Sequence, residues 1–257
     1  MGIYTTEITS NKILSDNPIH QRLLKAYKLA APFINGDVLE LGVGEGRGLE
    51  LLAPAAGSYT ALDKIKSSIE NLRVQYPEVR CIHSSIPPVK DLESNSFDLV
   101  ISFQVIEHIR NDRLFLEEIG RLLRPGGKCL ISTPNIRKTL TRNPWHIREY
   151  TREELYALAK PIFGQIDIKG ITGSEKVWEY YRQNKNSVAK IMKYDIFDLQ
   201  HRLPASFLKI PYEILNRINR NKLQAKDKEL VSQISEQDYI LSDDPDESLD
   251  LFMVATL

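Results

Sequence analysis

Cysteine is scarce in this chain of 257 residues: Cys81 and Cys129 are the only two, and both lie in apolar surroundings. They form neither a CxxC pair nor a disulfide framework, which excludes a thiol redox motif and a stapled secreted scaffold and fits a reducing cytosol. Long apolar runs are missing too, so no segment is expected to span a bilayer. The first residues, MGIYTTEITSNK, lack the basic-then-apolar order of a secretory leader, and the expected location is cytoplasmic. Net charge is absent, with 34 Lys and Arg against 34 Asp and Glu. No aromatic and basic stacking platform stands out either, so a nucleic-acid partner is not expected. Internal repeats and low-complexity tracts are lacking, which excludes solenoids and linkers.

What the chain has is alternation. DVLEL, YTALD, VRCIHSS, FDLVISF and KCLISTP read as short buried strands, separated by the helical patterns LELLAPAA, IKSSIENLRVQY and a stretch from Arg113 to Leu123. Strand and helix at this spacing predict an α/β fold, a doubly wound and mainly parallel sheet covered on both faces. IHQRLLKAYKLAAPFI is helical, with Ile19, Leu23, Ala26, Tyr27 and Ala30 on one face. TREELYALAKPIF is a further helix with a capping box from Thr151 to Glu154. GQIDIKGI and the closing LDLFMVATL bring the sheet to seven strands. The expected organisation is an N-terminal helical segment (1–36), a core (37–173), a helical insertion (174–246) and a terminal core strand (247–257).

In ELGVGEGRG a buried strand gives way to a helix, the place where open α/β sheets bind ligands. Glycine there permits close backbone approach. Gly42, Gly44 and Gly46 miss the dinucleotide spacing G-x-G-x-x-G, and Glu40 would face a pyrophosphate with the wrong sign, which argues against an NAD(P) oxidoreductase. Asp63, ending the second strand, is placed to take the two hydroxyls of a ribose. An adenosine with a cationic sulfonium and an amino-acid tail suits both acids.

These residues resemble the Rossmann-like (class I) S-adenosylmethionine-dependent methyltransferases, from about Asp37 to Gly170. VLELGVGEGRG is similar to their first motif and ALD to their ribose-binding acid. Ser85 and Ile86 fall near the adenine contact, where the family usually carries an acid. FDLVISFQVIEHI and LLRPGGKCLISTPN resemble the fourth and fifth strands, and LDLFMVATL the antiparallel last strand. The resemblance implies S-adenosylmethionine held by Glu40, Gly42, Gly44, Gly46, Asp63, Ser85, Ile86 and Gln104.

FQVIEHI places Glu107 and His108 where an apolar strand ends, and His146, in NPWHIREY, follows the fifth strand at the same rim. Structural capping accounts for such a pair as well as function does. Functionally, His108 or His146 could take the proton from an acceptor hydroxyl with Glu107 fixing the tautomer, Arg148 and Tyr150 contacting the substrate. Alternatively Glu107, His108 and His146 could bind a divalent metal. QVIEHI with His146 is similar to the metal site of small-RNA 3′-end methyltransferases, and QVIEHI resembles the quinone-pathway O-methyltransferases. Both carry a glutamate where this chain has Gln104, and losing an anionic ligand weakens a hard cation's site, so the metal-free reading is preferred and no metal is expected.

The charge of the last third is uneven. Gln200 to Lys228 holds seven basic residues, whereas Glu229 to Asp250 holds eight acids and no Lys or Arg. IPYEILNRINRNKL places Ile214, Leu215 and Ile218 on one face and Arg217, Arg220 and Lys222 on another, which predicts a helix packed through its apolar face with Pro211 at its first position. A peripheral contact of 205–228 with anionic lipid is the sharper alternative. The whole predicts a methyltransferase whose helical insertion covers the site, acting on the oxygen of a small molecule, glycan or lipid-linked intermediate. A cofactor-binding sensor without turnover and an RNA 2′-O-methyltransferase are the alternatives.

Overall fold

The computed structural model describes residues 13–90, 92–195 and 197–257. The first twelve residues of the expected N-terminal segment lie outside the described residues. The chain runs α1 (Asn17–Ala30), β1 (Asp37–Leu41), α2 (Leu49–Leu52), β2 (Ser58–Asp63), α3 (Lys66–Gln75), β3 (Arg80–His83), β4 (Phe97–Phe103), α4 (Asp112–Leu122), β5 (Leu123–Pro134), α5 (Arg152–Ala159) and β6 (Gln165–Gly173). Then come α6 (Glu175–Met192), α7 (Leu199–Arg202), α8 (Ala205–Lys226), α9 (Lys228–Gln233), β7 (Tyr239–Ser242) and β8 (Asp250–Thr256).

The strands form one sheet in the order β3-β2-β1-β4-β5-β8-β6-β7. β1, β2, β3, β4 and β5 run parallel to one another, while β8 lies antiparallel between β5 and β6. The doubly wound, mainly parallel architecture with an antiparallel last strand is therefore as the sequence predicts. Among the described residues the count is eight rather than seven, because β7, four residues long, adds to the outer edge of β6. Four residues carry too little alternation to be read as a strand; the open edge of β6 supplies the pairing.

Apolar side chains fill both faces. α1, α2 and α3 cover one through Ala26, Tyr27, Leu49 and Ile69, and α4 and α5 cover the other through Phe115, Leu116, Ile119 and Leu155. α4 presents those residues at helical spacing, and Asn111 accepts the Leu114 N–H at its start. The capping box of α5 forms as its sequence predicts, Thr151 and Glu154 satisfying each other's backbone N–H groups. LELLAPAA yields only the single α-turn of α2, since Pro54 carries the chain into a 3-10 turn.

α8 departs most from expectation. It begins at Ala205, so Pro211 lies inside it rather than at its first position. Its inward face is polar: Arg217 and Arg220 reach Asp16 at 2.9 and 3.0 Å, and Asn219 donates to Asn184 at 2.7 Å. Ile214, Leu215 and Ile218 are exposed. No helix among the described residues is long and apolar enough to cross a membrane.

Candidate active site

Parallel pairing puts the C-terminal ends of β1, β2, β4 and β5 at one rim, and the sequence loads that rim with glycines and acids. Gly42, Gly44 and Gly46 all adopt positive φ, +83°, +56° and +79°, a region open to glycine. Their surroundings differ. A Cβ on Gly42 would lie 2.4 Å from Val105 and one on Gly46 2.5 Å from Leu72, whereas Gly44 has nothing within 4 Å. The turn thus packs on either side of Gly44 and stays open to a ligand at Gly44 itself.

The turn's backbone N–H groups point inward. Gly42 and Val43 donate to the Leu62 carbonyl at 2.8 and 3.2 Å, Gly46 to the Val43 carbonyl at 2.9 Å, and Gly44 to Asp63 Oδ2 at 2.8 Å. A pyrophosphate, which binds through such donors, would find these occupied. What the rim offers a ligand is a carboxylate. Asp63 Oδ1 accepts from the Ile65 N–H at 2.9 Å, so each of its oxygens is held by one backbone donor. A carboxylate has about four lone-pair positions, which leaves capacity for two hydroxyls of a ribose.

Glu40 precedes the turn at the end of β1. It is buried, and its oxygens accept from Tyr27 Oη at 2.7 Å and Tyr59 Oη at 2.8 Å. Tyr27 reaches it because Gly48 lacks a side chain: a Cβ there would meet the Tyr27 ring at 1.9 Å. Burial pushes the Glu40 carboxyl from 4.5 to about 7 against the two tyrosine hydrogen bonds, with Asp63 adding a smaller push. A raised carboxyl stabilises the fold fully below its unfolded value and ceases to do so as pH rises through about 7. His20, lowered to about 4 by burial and Arg47, acts in the opposite sense on the acid side. The clean readout is therefore a difference. The thermal midpoint of Glu40→Gln should match wild type near about pH 4 and exceed it near about pH 8, by up to about 3 kcal/mol of stability. A difference independent of pH would contradict it.

At the neighbouring ends of β4 and β5 the three expected residues do converge. Glu107, His108 and His146 each offer a ligand atom, all within 4.8 Å of one another. The two imidazole rings meet edge-on with centroids 4.9 Å apart. Their tautomers are fixed by groups other than Glu107. His108 Nδ1 lies 2.9 Å from the Trp145 carbonyl, which only an N–H can donate to, so Nε2 is the basic nitrogen of the neutral ring. His146 Nδ1 lies 2.6 Å from Glu149 Oε1 and Nε2 2.8 Å from Asn143 Nδ2. Glu107 is buried and accepts from the Thr133 hydroxyl at 3.0 Å; burial raises its carboxyl to about 7, opposed first by His146. Its backbone carbonyl takes the Ile147 N–H at 2.7 Å and so docks the His146 loop. Glu149, Asn143 and Thr133 went unrecognised in the sequence; the spacing His146-x-x-Glu149 was the available signal.

The histidines open onto a cavity of about 260 Å³ bounded by α1, α6, α8 and the rim loops. Ile19 and Leu23 of α1, Tyr180 of α6, and Tyr212, Asn216 and Arg220 of α8 line it, with Gln104. Gln104 adjoins Val105, which packs on Gly42, so this cavity and the glycine turn share a wall.

Residues 39–131 match the family described as "Methyltransferase domain". Residues 39–131 thus carry a methyltransferase domain, and the curated relatives similar to it are S-adenosylmethionine-dependent. The chain is similar to the "Probable S-adenosylmethionine-dependent methyltransferase" of Mycolicibacterium smegmatis, 39% identical over 137 residues covering 51% of this chain and 52% of that protein. It is also similar to the "Ubiquinone biosynthesis O-methyltransferase" of Rickettsia conorii, 25% identical over 216 residues, 82% of this chain and 59% of that protein. The chain spans between half and three fifths of the length of these curated relatives. Among solved structures, a SAM-dependent methyltransferase from Thermotoga maritima superposes with a TM-score of 0.58, covering 95% of this chain and 91% of that one at 16% identity, a likeness of fold.

The methyltransferase domain fits its cofactor at the rim, where Asp63 would hold the ribose and the space over Gly44 admits the chain's close approach. When bound, S-adenosylmethionine supplies a methyl group activated by a sulfonium sulfur. Glu40 is held buried beside the turn by Tyr27 and Tyr59. Gln104 takes positive φ, +57°, and its N–H is held by the Ser132 carbonyl at 2.8 Å. Ser85 is exposed and Ile86 half-buried beyond β3, on the Asp63 side of the methyltransferase rim. The two expected substrate residues lie on the loop that follows His146. Tyr150 is fully buried with its hydroxyl on Asp112 at 2.9 Å, and the Arg148 guanidinium lies over the Tyr150 ring at 4.8 Å while pairing with Asp112 and Glu154. These contacts fasten the loop between β5 and α5 to α4; Tyr150 lines neither cavity at the histidines, while Arg148 lines a second one, of about 390 Å³, together with His146 and Glu149.

Proposed function

We propose that the protein is a methyltransferase acting on a hydroxyl oxygen of an acceptor bound in the cavity beside His108 and His146. The reading rests on where His108 stands: its Nδ1–H is donated to the Trp145 carbonyl, which puts the basic lone pair on Nε2, and the residue lines a cavity adjoining the cofactor turn. With a sulfonium methyl donor bound at the rim, His108 Nε2 would take the proton of the acceptor hydroxyl. His146, clamped by Glu149 and Asn143 and packed edge-on against His108, is a positioning residue, and Glu107 holds the loop that carries it. The name of the Rickettsia relative supports oxygen as the acceptor atom. The mixture of tyrosine, arginine and aliphatic side chains around the cavity supports an acceptor that is part polar and part apolar, such as a small molecule, a glycan or a lipid-linked intermediate. Two buried free thiols support a cytoplasmic setting.

The test uses paired acceptors that differ only in bearing a hydroxyl or an amine, with mass spectrometry locating the added methyl. Methylation of the hydroxyl member supports the reading, and methylation of the amine alone overturns it. A second reading, a divalent cation held by Glu107, His108 and His146, is favoured by the 4.8 Å cluster and by the carbonyl and carboxylate that orient the two rings. It would need His146 Nε2 to exchange Asn143 for the ion. Activity abolished by a chelator and restored by one divalent metal would select it over the metal-free base.

A further inference from the structure

Helix α8 is oriented with its apolar side outward. Phe207, Ile210, Ile214 and Ile218 recur at helical spacing and are 70%, 72%, 54% and 56% exposed. Its opposite side is polar and turned toward the protein, through Tyr212, Asn216 and Arg220 at the cavity and Arg217 on Asp16. A soluble helix normally does the reverse. The stripe continues upstream, where Tyr194 is 87% and Phe197 64% exposed. An exposed apolar surface of this extent marks a site that meets another apolar phase.

Charge identifies that phase. The chain as a whole is neutral, yet residues 185–226 hold nine Lys and Arg against three Asp and Glu. Lys193, Arg202, Lys222 and Lys226 are exposed at the two ends of the stripe. A bilayer surface carrying anionic lipid is complementary to both features at once, apolar along the stripe and negative around it. No helix among the described residues is apolar enough to cross the membrane, so α8 would lie on it.

We propose that α8, with Tyr194 and Phe197 before it, docks the protein on an anionic membrane surface. Because the same helix lines the cavity with its other side, the docked protein takes its acceptor from the plane of the membrane, through an amphiphile whose polar end reaches His108. This last step rests on the reading of that cavity as the acceptor site.

The full chain is co-sedimented with vesicles of phosphatidylglycerol and phosphatidylcholine, and with vesicles of phosphatidylcholine alone. The wild type should partition onto the anionic vesicles about tenfold more strongly, and high salt should erase the preference. Ile210→Asp with Ile214→Asp should lower that partitioning by about tenfold or more. Both residues are exposed, so the fold should survive, and S-adenosylhomocysteine binding by the same variant verifies it. That control also separates the two readings, since cofactor binding and methyl transfer to a water-soluble acceptor do not need the membrane. Three results would overturn the proposal: a folded wild type that ignores anionic vesicles, a double variant that partitions like wild type, or self-association broken by the substitutions in a protein that ignores vesicles.

Discussion

Asp63→Ala weakens S-adenosylhomocysteine binding by about a hundredfold or more. The side chain is buried at the end of β2, and its two oxygens are already aligned by the Gly44 and Ile65 N–H groups. It would then meet the two ribose hydroxyls without further ordering. Hydrogen bonds to a charged group contribute about 1.5–3 kcal/mol each, and the loss of two corresponds to at least about a hundredfold in affinity. The substitution also releases the Gly44 N–H, loosening the turn at the one glycine where a ligand has room. Asp63→Asn, which keeps an acceptor on one oxygen and loses the charge, should fall between the two. Calorimetric titration at matched protein concentration measures all three. Binding of Asp63→Ala within about threefold of wild type would remove the carboxylate from the cofactor site.

The second large effect is on turnover. His108→Ala should lower kcat by about a hundredfold to ten-thousandfold, the usual contribution of a positioned general base, while leaving cofactor affinity unchanged. The acid limb of the pH–rate profile, which reports the base losing its proton, should vanish with it. His146→Ala should have a smaller effect on kcat, because its nitrogens serve Glu149 and Asn143 and its ring steadies His108. Equal losses in kcat and in cofactor affinity for His108→Ala would mean that the residue holds the rim together and does not move a proton.

The parts of the fold that the sequence made legible are those set by neighbouring residues. The glycine turn, the acid ending β2, the capping box of α5 and the buried strands each follow from side chains a few positions apart. The convergence of Glu107, His108 and His146 was also legible, since a parallel sheet gathers its strand ends at one rim. What escaped depends on long-range partners. Tyr27, from α1, closes over Glu40 through the gap left by Gly48, and nothing local announces it. Tyr150 reads as a polar tip beside a histidine loop, but Asp112 takes its hydroxyl inside the structure. Periodicity told that α8 has two faces and not which one turns inward. Asp16 decided that, by drawing Arg217 and Arg220 to itself and leaving the isoleucines outside.

Parallel calorimetric titrations of the wild-type protein with S-adenosylhomocysteine and with NAD test the central claim most directly. A turn whose amides at Gly42, Val43, Gly44 and Gly46 are all engaged within the protein, beside a carboxylate set for a ribose, predicts micromolar binding of S-adenosylhomocysteine and none of NAD. A folded protein that binds NAD as tightly, or that binds neither, would contradict it.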